Sequence, residues 1–166
     1  MLPAPIPADD EARLHALREL LILDTPPEER FDRIVGFAAS EFDVPIALIS
    51  LVDRDRQWFK ARVGLDACET SREISFCGHA ILQKSELFEV LDAAKDPRFA
   101  DNPLVTGAPF IRFYIGAPLV MPGGAAIGTL CLIDTKPRQF DAMDHAILGT
   151  LRDLVLAELS GQGEAP

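Results

Sequence analysis

The chain has 166 residues, a net charge of -10 at pH 7, 48% apolar and 25% charged residues, which bounds it to one globular domain with a real core. The acidic balance excludes the Lys/Arg footprint that nucleic acid or an anionic membrane surface requires, and no window approaches the roughly 18 uninterrupted apolar residues of a membrane span. Three cysteines do not make a disulfide framework, and the N-terminus lacks the basic-then-apolar order of a signal peptide, so a cytoplasmic location with reduced thiols is expected.

Residues 1–8 carry three prolines and read as a flexible lead-in. Asp9 to Leu21 is expected as a helix, with Leu14, Leu17 and Leu21 on one stripe and acids in its first turn. Thr25, Pro26 and Glu28 form a Thr-x-x-Glu capping box for a second helix reaching about Phe42, with Phe31, Ile34, Val35, Ala38 and Phe42 facing a core. Val44 to Val52 reads as a buried strand, and Gln57 to Val63 as its half-exposed partner. Gly64 to Ser75 is expected as loop, Phe76 to Gln83 as a short helix and Leu87 to Leu91 as a short strand. The stretch 92–110 is a long connection rich in Asp, Asn, Pro and Gly, with a turn of helix near Pro97–Phe99. Connections of that length usually cover or close a site.

The centre of the chain is FIRFYIGAPLV and AIGTLCLID, at 110–120 and 126–134, joined by a Gly-Gly turn. Ile111, Phe113, Ile115, Ala117 and Leu119 alternate with Phe110, Tyr114, Pro118 and Val120. Ile127, Thr129, Cys131 and Ile133 oppose Leu130 and Leu132. Strands apolar on both faces are covered on both, so this hairpin belongs in the middle of a sandwiched sheet. Pro118 implies a bulge or a local edge. A last helix, Ala142 to Leu159 and capped by Asp141 or Gln139, has apolar residues on more than one face, which suggests that it packs on its own sheet and on a second chain. The plan is α+β: a central antiparallel sheet with helices on one face and a loop-covered pocket on the other.

The motifs LDTPPEERFDRI (23–34), VPIALISLVDRDRQWFKARVGL (44–65), REISFCGHAI (72–81), DAAKDPRFADNPLVTGAPFIRFYIGAPL (92–119) and GTLCLID (128–134) stand in the order of a known family. In these the chain resembles a GAF domain, of the bacterial kind found beside histidine kinases and diguanylate cyclases. The resemblance implies a sheet of five or six strands and one domain over 9–159, followed by a flexible tail, 160–166. It also implies a sensory or regulatory role with an unidentified small molecule as ligand. No kinase, cyclase or phosphodiesterase segment follows Leu159, so output is expected through a signalling partner. The N-K-x-F-D-E signature of cyclic-nucleotide-binding members is not found, and Cys77-Gly78-His79 departs from the Cys-His of pigment-binding members.

Candidate ligand contacts are Phe76, Cys77, His79, Arg98, Phe99, Arg112, Phe113, Tyr114 and Thr129. No catalytic or metal-ligating residue is assigned, and the cofactor is unknown. Cys77 near a helix N-terminus, with His79 close in sequence, reads either as a redox or nucleophilic thiol or as a buried thiol beside a pocket; the second weighs more. Some members of the family reduce free methionine sulfoxide with a Cys-Gly resembling Cys77-Gly78, but they need a cysteine in the connection before the hairpin, and 92–110 contains none. Cys131, in mid-strand, reads as structural. Asp92, Asp96, Arg98, Asp101 and Asn102 either hold a ligand or pin turns, with Asp96-Pro97 and Asn102-Pro103 ordinary turn formers. Arg112, in the central strand, needs a partner: a loop acid or an anionic ligand. Phe59, Phe76, Phe99, Phe113 and Tyr114, with the Thr129 hydroxyl, either line a pocket or fill a core. The reading is a homodimeric sensor module acting through its terminal helices. The alternatives are a thiol-based redox enzyme or switch at Cys77, of the free methionine sulfoxide reductase kind, and a dimerisation or interaction module without ligand.

Overall fold

The two central apolar runs do pair. In the computed structural model, which describes residues 1–161, β5 (Phe113–Val120) and β6 (Ala126–Asp134) form an antiparallel ladder from Phe113 opposite Asp134 to Val120 opposite Ala126. The turn is closed by Met121 N–H to the Ala125 carbonyl at 2.9 Å, and Gly124 takes φ 94°, a conformation natural only to glycine. Residues 162–166, part of the expected tail, lie outside the described residues.

Four further strands extend this pair: β1 (Ile46–Val52) beside β6, β2 (Arg56–Val63) beside β1, β3 (Glu69–Ser71) beside β2, and β4 (Phe88–Val90) on the far side of β5. The spatial order is β3-β2-β1-β6-β5-β4, with every neighbouring pair antiparallel. Because alternate side chains point to opposite faces, the sheet divides two cores. On one side α2 (Glu29–Glu41) and α5 (Ala142–Leu159) cover Ile49, Leu51, Phe113, Ile115, Leu130 and Leu132. On the other, α3 (Cys77–Ala80), α4 (Pro103–Thr106) and the connections cover Ile46, Leu48, Phe59, Tyr114, Cys131 and Ile133.

The helices follow from local chemistry. Phe31, Ile34, Val35 and Ala38 make one buried stripe of α2. Asp141 accepts from the Asp144 N–H at 2.8 Å and Asp144 reciprocates at 3.0 Å, a capping box at the expected start of α5. Asn102 accepts from the Leu104 N–H, and Pro103 opens α4.

Several expectations are corrected. α1 (Asp10–Glu19) ends before Leu21, which turns out at φ 53° and is 83% exposed. Thr25 does not cap α2: its hydroxyl donates to the Ile22 carbonyl, Glu28 is the cap residue, and the Glu28 carboxylate pairs with Lys60 at 2.6 Å. β2 is not half-exposed. Lys60 is only 2% exposed, because a bulge opposite Ile49 and Ser50 turns it toward α2, where Thr25 and the Pro26 carbonyl also receive its ammonium. A second bulge, opposite Leu119 and Val120, moves Ile127 to the face of Leu130 and Leu132 instead of that of Thr129 and Cys131. Pro118 itself pairs with Thr129 and lies beyond the residues that β4 covers, so it sits at the local edge. Phe110 and Ile111 precede the strand. Phe110 is exposed at φ 62°, and Ile111 joins the core opposite Phe113. The stretch 64–75 holds β3 and a 3-10 turn, Arg72–Ile74, and the helical turns of 92–110 fall at Ala93–Lys95 and Pro103–Thr106. In the lead-in, Leu2 N–H donates to the Arg98 carbonyl at 3.1 Å.

Phe113 has no exposed surface and meets Phe140 at a tilt of 39° with centroids 5.0 Å apart, in the helical core. Phe113→Ala removes that ring and leaves a void, so urea denaturation should show a loss of about 3–5 kcal/mol. A loss under about 1 kcal/mol would mean that this core is not packed as described.

Candidate functional site

The face of the sheet away from α2 and α5 carries a cavity of ≈ 330 Å³. Its floor is laid by alternate residues of neighbouring strands: Ile46 and Leu48 of β1, Gln57 and Phe59 of β2, Tyr114 of β5, and Cys131 and Ile133 of β6. Phe76 and Cys77 close one side. Two segments form the cover: 64–70, through Leu65, Asp66, Ala67 and Thr70, and 104–111, through Leu104, Ala108, Pro109 and Ile111. The lining is chiefly apolar, and Asp66 is its one ionisable carboxylate. Among the described residues, no Lys or Arg is part of it.

Polar atoms on the floor form a seam across neighbouring strands, with Ser50 of β1 standing opposite Thr129 of β6. Cys77 Sγ lies 3.1 Å from the Tyr114 hydroxyl and 3.1 Å from Thr129 Oγ1. Ser50 Oγ donates to Gln57 Oε1 at 3.1 Å, and Gln57 Nε2 donates to Thr70 Oγ1 at 2.6 Å, carrying the seam into the cover. Burial opposes charge on the Cys77 thiol, yet hydrogen bonding, with the Thr129 and Tyr114 hydroxyls each at 3.1 Å, outweighs it and brings that thiol down to about 6. Burial pushes the Cys131 thiol well above the ordinary range, and its bond to Cys77 adds to the effect. Burial, with the charge on Cys77 and Cys131, raises the Tyr114 phenol in the same way. Hydrogen bonding thus favours charge on Cys77, while burial disfavours it on Cys131 and Tyr114.

Gly116 makes this floor possible. A Cβ there would stand 2.5 Å from the Tyr114 hydroxyl, so the phenol can fold back toward Cys77 only over a residue without a side chain.

Of the nine candidate contacts, Phe76, Cys77 and Tyr114 line the cavity. Thr129 supports Cys77 from β6, and Phe99 stacks behind Phe76 with centroids 4.1 Å apart. The others lie elsewhere. His79 does not reach Cys77: its Nε2 contacts the Leu2 carbonyl at 2.8 Å, and its ring meets Phe99 edge-on. Arg98 is held by Asp96 at 2.7 Å and lies over the rings of Phe88 and Phe99. Arg112 finds neither a loop acid nor the cavity. It donates to the carbonyls of Val105 and Ile111, both at 2.9 Å, tying the cover to the start of β5. Phe113 faces the opposite core. Asp92, Asp96 and Asn102 serve turns, accepting from Ala94, Arg98 and Leu104 N–H groups. Sequence reasoning missed the β1 contribution, the 64–70 cover and the role of Cys131. The alternation of Gln57 with Phe59 and of Cys131 with Ile133 was the signal available for part of it. Among the described residues, no group of three or more His, Cys, Asp or Glu side chains is placed to hold a metal ion, and no helix is long and apolar enough to cross a membrane.

A family model described as GAF domain matches residues 26–159. A cyclic di-GMP phosphodiesterase of Pseudomonas aeruginosa is 46% identical over 160 residues, which make up 96% of this chain and 27% of that protein. The chain therefore spans about a quarter of the length of that curated relative. Among solved structures, the GAF domain of a phosphoenolpyruvate-protein phosphotransferase from Coxiella burnetii superimposes with TM-score 0.67 at 17% identity, covering 90% of this chain and 93% of that one. A free methionine-R-sulfoxide reductase from Neisseria meningitidis, in complex with its substrate, does so with TM-score 0.64 at 22% identity, covering 99% and 100%. At such identities the structural likeness is one of fold.

His79 yields a pH prediction. Burial lowers its pKa below 6.5, and the nearby Arg98 charge contributes, so the folded chain holds the neutral ring more strongly than the unfolded one. Stability from this residue is complete above the unfolded pKa and is lost as pH falls through it toward the folded value. The difference in thermal midpoint between wild type and His79→Gln should narrow between about pH 7 and pH 5. A difference that stays constant or widens over that range would contradict this account.

Proposed function

This chain belongs to the GAF domain family, and from that premise we propose that it is a sensory and regulatory module in signal transduction whose cavity takes a small ligand. The observation that supports this best is a cavity of ≈ 330 Å³ with an apolar wall and a polar seam, inside the size range of about 300–1,000 Å³ of small-molecule sites. The absence of Lys and Arg from the lining favours an uncharged ligand: a bound phosphate would be stripped of water with no cation to replace it. In the Pseudomonas aeruginosa relative this segment is a minor part of a cyclic di-GMP phosphodiesterase. By the same electrostatics, the cavity is suited to a regulator of such an output rather than to the anionic dinucleotide.

Transmission runs through three residues. Ile111 lines the cavity, Arg112 ties the cover to the first residues of β5, and Phe113 lies across the sheet against Phe140, just before α5. A ligand that moves Ile111 moves the seat of α5 with it. Phe37 of α2, and Met143 and Leu154 of α5, are large apolar residues exposed on the helical side, which supports a homodimer through these helices and a signalling partner as the receiver.

Thermal-shift measurements should show stabilisation by uncharged ring compounds and no saturable shift with cyclic di-GMP. Ala67→Trp, at an exposed edge of the cavity, should abolish the shift while leaving the unliganded midpoint nearly unchanged. Saturable cyclic di-GMP binding that survives Ala67→Trp would overturn the ligand reading. Sedimentation should separately report a dimer that Leu154→Glu converts to monomer; a monomeric wild type would remove the dimer.

A further inference from the structure

Cys77 and Cys131 reach the cavity from different elements, α3 and β6, and both line it. Cys77 Sγ lies 3.1 Å from Thr129 Oγ1, Thr129 stands two residues before Cys131 on the same face of β6, and both thiols belong to the same core cluster. Gly116, over which the Tyr114 phenol folds, is the direct cross-strand partner of Cys131. The third cysteine, Cys68, is exposed and lines a separate groove with Trp58 and Lys60. A buried thiol pair that opens onto a cavity is chemically unlike a thiol sealed in a core, because a small reactant can reach it.

We propose that Cys77 and Cys131 form a peroxide-responsive dithiol, which hydrogen peroxide entering the cavity converts to an intramolecular disulfide. The Cys77 sulfur attacks one peroxide oxygen. An S–O bond forms, the O–O bond breaks, and the departing hydroxide takes up the proton released by the Cys77 thiol and leaves as water. The Cys131 sulfur then attacks the sulfur of the Cys77 sulfenic acid; the S–S bond forms, the S–O bond breaks, and the hydroxyl leaves as a second water with the Cys131 proton. In sum, two thiols are oxidised by two electrons and one hydrogen peroxide is reduced to two waters. The Tyr114 and Thr129 hydroxyls, each 3.1 Å from Cys77 Sγ, favour charge on that sulfur, which sets the order of the two steps. The oxidant is a small neutral molecule because the wall offers an anion no cation. This inference rests on the cavity being reachable, not on any resident ligand, so it stands apart from the sensor reading.

The test uses the whole chain. Protein treated with a modest excess of hydrogen peroxide is unfolded, its remaining thiols are alkylated, and its peptides are examined by mass spectrometry. A Cys77–Cys131 disulfide that dithiothreitol reverses, with Cys68 still alkylated, is the expected result. Cys131→Ala should replace the disulfide with a dimedone-trapped sulfenic acid on Cys77. Oxidised glutathione, large and anionic, should leave Cys77 unmodified in the native protein. Recovery of both Cys77 and Cys131 as free thiols after peroxide, a disulfide to Cys68, or a glutathione adduct on Cys77 would each overturn the proposal. The wild-type measurement decides even if Cys131→Ala does not fold.

Discussion

The antiparallel pairing of β5 with β6, buried on both faces, is the constraint from which the rest of the molecule follows. Each residue along those strands is committed to one of two cores by its parity, and the hydrogen-bond ladder fixes the parity of the next strand. Phe113 and Tyr114 are adjacent in sequence, yet one ring supports Phe140 beneath α5 and the other forms the floor of the cavity. A slip of one residue would exchange them and destroy both layers together. The helical core and the cavity therefore share one ladder.

That division also explains which parts of the fold were legible in the sequence. The strongly apolar, two-sided runs and the stripes of α2 and α5 come from local composition, and they stand where periodicity puts them. The failures cluster where tertiary contacts override local pattern. The Thr-Pro-Pro-Glu segment has the letters of a capping box, but Glu28 pairs with Lys60, an ammonium delivered from a bulge in a different strand. Ile127 lost its expected face for the same reason, one extra residue in a ladder. A bulge depends on the partner strand, so a single strand's alternation carries no notice of it.

The site divides in the same manner. Phe76, Cys77 and Tyr114 were legible because they lie in or beside apolar elements whose register the sequence pattern sets. Arg98, Arg112 and His79 were chosen for their chemistry, and each is taken up by an intramolecular partner: Asp96, two carbonyls of the cover and the Leu2 carbonyl. A polar side chain in a long connection meets far more backbone than ligand, and loop geometry alone satisfies it. Removing these residues leaves a cavity whose polar character comes from thiols, hydroxyls, one amide and the Asp66 carboxylate of the cover, which is why the functional reading turns away from anions.

Gly116 has a consequence outside this molecule. Because its missing side chain is the space into which the Tyr114 hydroxyl folds, the two positions are not independent. A homologue bearing alanine or larger at the equivalent of 116 must have swung its tyrosine away or exchanged it, and its cysteine then loses one of its two hydroxyl neighbours. Joint inheritance of that glycine and that tyrosine is thus a genetic marker that sorts family members with an intact thiol floor from those that have lost it.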